Sequence, residues 1–180
     1  MSTLSGLYAD AAAQAPTYVA ALLGMLGERE PFAVLEETPS ALSQLVAGRS
    51  PEQEAQPEKP GKWSVREVVW HLADSELVGG FRFRMVMSHD APELPGYDQD
   101  LWAVRMRYQE LPAAVAIEDF TALRRGNLRL LRRATPADLE RVMRHAERGD
   151  ESLGKMIRMY AGHDLVHRGQ IERIRAAIGS

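Results

Sequence analysis

Residues 64–71, Ser64-Val65-Arg66-Glu67-Val68-Val69-Trp70-His71, open the clearest helix in the chain. Ser64 and Glu67 have the spacing of a capping box, in which the serine hydroxyl accepts from the Glu67 backbone N–H and the glutamate reaches back. The segment predicts a helix running to about Ser88. His71 lies on its stripe with Glu67, Val68, Asp74, Ser75 and Val78, a mixture of apolar and polar residues one turn apart. A second such helix is predicted from about Leu153 to Ile178, with Gly179 placed to end it. On it, His163 and His167 share a face with Met156, Tyr160, Gln170 and Ile174.

Outward from these two segments the pattern stays helical, and no run has a convincing period of two. A short helix is expected near Thr17–Leu26, after Pro16, and another from about Pro31 to Val46, broken near Pro39. Residues 48–61 carry Pro51, Pro57 and Pro60 and read as a loop. Pro92, Pro95 and Gly96 make another loop, followed by a short helix around Gln99–Tyr108 that Asp98 should cap. A long helix is expected from about Ile117 to Ala134, then a short one capped by Thr135 with Pro136 at its first position. His145–Ser152 reads as a turn around Gly149 and Asp150. Four principal helices and one long connection predict an all-α four-helix bundle, with residues 1–180 as a single domain.

Composition excludes several classes. A net charge of -3 gives no general attraction to nucleic acid. No apolar run approaches the roughly 20 residues of a membrane span. The N-terminal stretch lacks the basic start and apolar segment of a signal peptide, so the expected location is cytoplasmic. There are no cysteines, which removes disulfides, thiolate ligands and a cysteine nucleophile. Any metal must be held by His, Asp, Glu or water, and any thiol chemistry needs an external thiol.

Two inward imidazoles at i,i+4 and a third on another helix point to a metal with open coordination positions. Spacing alone leaves the alternative of ordinary buried histidines with hydrogen-bond partners. Asp74 reads either as a group near the open position or as an acidic residue at the edge of its helix face. Tyr160 reads either as a hydroxyl reaching a bound ligand or as core packing. Arg82, on the His71 side of its helix, is a candidate for a carboxylate-bearing cofactor, with Arg84 beside it. His145 reads as a surface histidine rather than a group at the site mouth. His89 is expected at a helix end, and Tyr97 as a weaker candidate for lining a substrate, with Trp102 packed nearby. Arg124, Arg125, Arg129, Arg132 and Arg133 read as a solvated or interface face.

Three separated segments carry a family resemblance: residues 61–76 (GKWSVREVVWHLADSE), 95–103 (PGYDQDLWA) and 162–171 (GHDLVHRGQI). They resemble the DinB-like superfamily, in particular the YfiT-like branch, which includes bacillithiol S-transferases and was earlier labelled as metal-dependent hydrolases. The resemblance runs in order from about Pro31 through the last helix, residues 31–178. It implies up-down-down-up connectivity, often as a homodimer, and a divalent metal, nickel or zinc, held by His71, His163 and His167. It further implies a metal-dependent enzyme acting on a small molecule. The first expectation is transfer of a low-molecular-weight thiol to a small electrophile. The alternatives are hydrolysis by metal-activated water, and a non-catalytic metal- or ligand-binding bundle tied to stress.

Overall fold

The computed structural model describes the backbone of residues 4–179 and the side chains of residues 15–179. Eight helices and three short strands follow one another: α1 (Leu4–Leu26), α2 (Pro31–Val46), α3 (Pro51–Ala55), α4 (Val65–Ser88), β1 (Glu93–Leu94), α5 (Gln99–Arg105), a 3₁₀ turn (Tyr108–Glu110), α6 (Ala113–Leu131), α7 (Pro136–Leu139), β2 (Val142–His145), β3 (Gly149–Ser152) and α8 (Leu153–Ile178). The capping box at Ser64 forms as expected, with Ser64 accepting from the Glu67 N–H and Glu67 accepting from the Ser64 N–H. Ser152 caps α8 by accepting from Lys155 N, and Gly179 ends it at φ 80°.

Helices α2, α4, α6 and α8 form a closed ring of neighbours in the order α2–α6–α4–α8. Their directions follow from two apolar clusters. One gathers Val34, Leu35, Phe83, Val86, Leu131, Leu153 and Met156, and the other Leu42, Val46, Val65, Val69, Phe120, Ile171 and Ile174. Helices α2 and α8 therefore run from the first cluster to the second, and α4 and α6 run back. This is up-down-down-up connectivity. The two parallel neighbours, α4 and α6, are joined by the long crossover that carries β1, α5 and the 3₁₀ turn. Helix α1 packs on the outside of α8. Gly162 makes that approach possible, because a Cβ there would lie 2.1 Å from the Leu22 carbonyl oxygen.

Several local expectations are corrected. Helix α1 starts at Leu4 and includes Pro16. Helix α2 passes through Pro39 unbroken. Proline there cannot donate to the carbonyl four residues back, and that carbonyl, Leu35 O, accepts instead from Arg124 Nη1 at 2.8 Å. The loop expected over residues 48–61 contains α3, started by a Ser50–Gln53 capping box. Asp98 caps α5 as expected, but α5 stops at Arg105 and Tyr108 falls in the 3₁₀ turn. The segment read as a turn at His145–Ser152 is instead the end of β2, a tight connection and β3. β1 joins this hairpin as a parallel third strand, pairing Glu93 with Arg144 and Leu94 with His145. The small sheet lies at the end of the bundle where α4 finishes and α8 begins.

Candidate metal centre

The antiparallel pair α4 and α8 brings His71, His163 and His167 together between the two apolar clusters. His163 Nε2 lies 3.1 Å from His71 Nε2 and 3.1 Å from His167 Nε2. Two imidazole nitrogens bound to one zinc at about 2.0–2.1 Å in tetrahedral geometry sit about 3.3 Å apart, so the spacing suits a shared ion. No carboxylate joins the three nitrogens among the described residues, which leaves coordination positions for other ligands.

The protonation pattern agrees with this donor set. Gln170 Oε1 accepts from His167 Nδ1 at 2.8 Å, which directs the His167 Nε2 lone pair inward. A neutral His163 has one Nε2 and faces two other Nε2 atoms, so one shared proton cannot satisfy all three nitrogens. A cation at their centre would. Burial, with a smaller effect of His167, pushes His71 down to about 3. Burial and then the neighbouring histidines hold His163 well below its ordinary value. His167 is also lowered, mainly by burial, against an opposing pull from Gln170 and Asp164. At neutral pH all three rings are uncharged, as ligands must be.

Behind the histidines lies a charged network that the sequence did not reveal. Arg124 is buried, not part of a solvated arginine face. Its guanidinium donates to Asp164 at 2.6 and 3.1 Å and to Glu76 at 2.8 Å. Asn127 donates to Glu76 Oε1 at 2.8 Å, and Arg84 donates to Asn127 Oδ1 at 2.9 Å. The Arg124 guanidinium is thus held between two buried carboxylates, one of them next in sequence to His163. Asp164 and Glu76 sit inside inward helix stripes, and that placement was the one signal available in the sequence.

The other candidates separate into two groups. Asp74 is half-buried and accepts from the Tyr108 hydroxyl in a short hydrogen bond. Burial raises its pKa, Tyr108 opposes that, and Asp119 adds to it. Tyr160 packs edge-on to Phe83 and lies over Gly79, where a Cβ would meet its ring at 2.5 Å. Its ring centroid is 6.5 Å from that of His163. Arg82 is buried, donates to Pro95 O at 2.8 Å and has Nη2 3.3 Å from His145 Nε2. His145 itself is 3% exposed, contrary to its expected place at the surface, because the hairpin folds it under the sheet. Tyr97 packs against Trp102 with tilted rings 4.5 Å apart, and burial raises its hydroxyl pKa, with Tyr160 next and Ser75, Arg82 and Asp74 also felt. His89 ends α4 as expected. A surface groove of about 420 Å³ between α2 and α8, lined by Glu37, Gln44, Arg168 and Arg175, contains none of these groups.

Comparison with known proteins gives a consistent result. The family model described as the DinB superfamily matches residues 34–171. A protein of Oceanobacillus iheyensis named "Putative metal-dependent hydrolase" is 34% identical over 137 residues, covering 76% of this chain and 79% of that protein. A protein of the same name from Bacillus mycoides is 30% identical over 141 residues, covering 78% and 81%. The solved structure of YfiT from Bacillus subtilis superposes with a TM-score of 0.79 at 25% identity, covering 85% of this chain and 90% of that one. It is described as "a probable metal-dependent hydrolase with an unusual four-helix bundle topology".

Proposed function

The chain belongs to the DinB superfamily, on its YfiT-like branch, and from that premise we propose a metal-dependent enzyme acting on a small molecule, with His71, His163 and His167 as the metal ligands. The observation that carries this reading is the meeting of three imidazole Nε2 atoms with no fourth protein ligand among the described residues. A structural zinc site closes all four positions, whereas a catalytic one keeps a position open. Zinc and nickel both accept this imidazole set. When bound, the cation supplies a Lewis-acid position at which a thiol or a water loses its proton near neutral pH.

The favoured reaction is transfer of a low-molecular-weight thiol to a small electrophile, with the C–S bond formed as the leaving group departs and the thiol proton released. The absence of cysteine fits a thiol supplied from outside, and a cytoplasm that keeps thiols reduced is the proposed setting. Around the centre, the chain's own groups would orient the reactants and handle the proton. Asp74 Oδ2, with its raised pKa and its Tyr108 donor, is the proposed proton acceptor. Tyr160 keeps its hydroxyl protonated through burial and would donate to substrate. The relatives' names favour hydrolysis as the second reading.

One preparation can test both chemistries. Elemental analysis should find near-stoichiometric zinc or nickel, lost in His167→Ala. Thiol consumption with a generic electrophile, and ester or amide cleavage without thiol, are then measured in metal-loaded and chelated protein. No metal-dependent turnover with any cellular thiol would end the transferase reading. A second copy is the proposed cover for the exposed apolar residues Leu77, Phe81, Leu101 and Val104 on α4 and α5. Light scattering should give twice the 20.1 kDa chain mass, falling to one chain in Phe81→Glu.

A further inference from the structure

Two of the three buried arginines among the described residues come with carboxylates. Arg66 has Glu54 at 3.4 Å, Arg124 has Glu76 and Asp164, and the partly buried Arg148 is held by both oxygens of Glu151 at 2.6 and 2.9 Å. Arg82, 6% exposed, has no carboxylate partner among the described residues. A cation withdrawn from water without a counter-charge is costly, so its retention needs an explanation.

Hydrogen-bond accounting at its neighbour sharpens the point. The Glu147 backbone N–H donates to His145 Nδ1 at 3.2 Å. A neutral imidazole accepting at Nδ1 carries its proton on Nε2. That Nε2–H then faces Arg82 Nη2, itself a donor, at 3.3 Å. Giving His145 the other tautomer only moves the mismatch to the Glu147 N–H. Along the line from the Glu147 N–H through His145 to Arg82 Nη2 there is therefore one more donor than there are acceptors. Burial, followed by the charges of Arg148 and Arg82, pushes His145 down to about 4, so a charged ring at neutral pH offers no escape and would only add donors.

The cluster adjoins the candidate centre. Tyr160, one helical turn before His163, has its hydroxyl beside Arg82. Tyr160 and His167 are each only partly buried.

We propose that Arg82 and His145, with the Tyr160 hydroxyl, form a subsite for the carboxylate of the small-molecule substrate, beside the three histidines. The proposal rests on reading those histidines as a substrate-processing metal centre. One planar guanidinium and one imidazole N–H present flat, in-plane donors suited to a carboxylate's two oxygens. Arg148, whose charge is also felt at His145, is already held by Glu151, so it adds little toward neutralising a dianionic phosphate.

The test is calorimetric titration of zinc-loaded and metal-free protein with succinate, using succinamide and inorganic phosphate as comparison ligands. Succinate should bind the wild type, and succinamide much more weakly. Arg82→Gln should weaken succinate binding about 10- to 100-fold, the worth of one or two charge-assisted hydrogen bonds. Arg82→Lys retains the charge and guards against a misfolded Arg82→Gln, and it should bind several-fold more weakly than the wild type. Equal binding of succinate and succinamide, a preference for phosphate, or wild-type affinity in both Arg82 variants would overturn the subsite. Succinate binding that persists in a protein that purifies without metal would support the subsite and remove the catalytic reading. Stoichiometric metal without succinate binding would do the reverse.

Discussion

Arg124 is the residue whose loss the molecule should feel most. Its guanidinium holds two buried carboxylates apart and also takes the Leu35 carbonyl that Pro39 leaves free. Arg124→Met would strand Glu76 and Asp164 in the interior, and breaking such a network from one side costs about 3–5 kcal/mol. Urea denaturation should show that loss, and Arg124→Lys should recover little of it, since an ammonium cannot span both carboxylates and the carbonyl. A different signature is expected at Asp74. Asp74→Asn should lower kcat about 100-fold or more, as loss of a positioned proton acceptor does, with metal content unchanged by elemental analysis. Single residues were legible in proportion to how locally their role is set. His163 and His167 declare a shared face through their spacing alone. Arg124 sits among four other arginines on α6 and just beyond its end, and only partners 40 and 48 residues away distinguish it from them.

At the scale of elements, the long helices announce themselves and the short strands do not. Helices α4 and α8 have the bounds read from sequence because their ends are written locally, in the Ser64 box, the Ser152 cap and Gly179. The strands are two to four residues long, and β1 finds its partner about 50 residues onward, so no local period could reveal them. That hidden pairing is also why His145 was misplaced. The contact between α1 and α8 gives a sharp element-level test. Gly162→Ala would drive a methyl into the Leu22 backbone, which cannot rotate away as a side chain can. The expected result is displacement of α1 at a cost of about 1–3 kcal/mol. Hydrogen exchange should quicken within residues 15–26 while α4 and α6 stay protected. Unchanged exchange in α1 would mean that the two helices do not pack this closely.

For the whole molecule, the buried histidines tie stability to pH, and the proposed site would tie it to metal as well. In the unfolded chain each imidazole titrates near about 6.5. In the folded, metal-free protein His71 is lowered to about 3 and His145 to about 4, with His163 and His167 lowered as well. Between those values and about 6.5 the unfolded state binds protons that the folded state refuses. Stability contributed by uncharged burial is therefore full above about pH 6.5 and is lost progressively as pH falls toward the folded values. A metal held by the three histidines, as proposed, would add a second linkage, because those residues come from two antiparallel helices that only folding brings together. At a free zinc concentration 100-fold above Kd the gain is about 2.7 kcal/mol, and protons competing for the nitrogens should erase it on acidification. Denaturation of chelated protein at pH 7 and pH 5 should show a marked loss of stability, reduced in His71→Leu. Zinc should raise the pH 7 value and do much less at pH 5. Equal stability of chelated protein at both pH values would contradict the burial of uncharged rings, and a zinc effect that survives in His167→Ala would move the metal elsewhere.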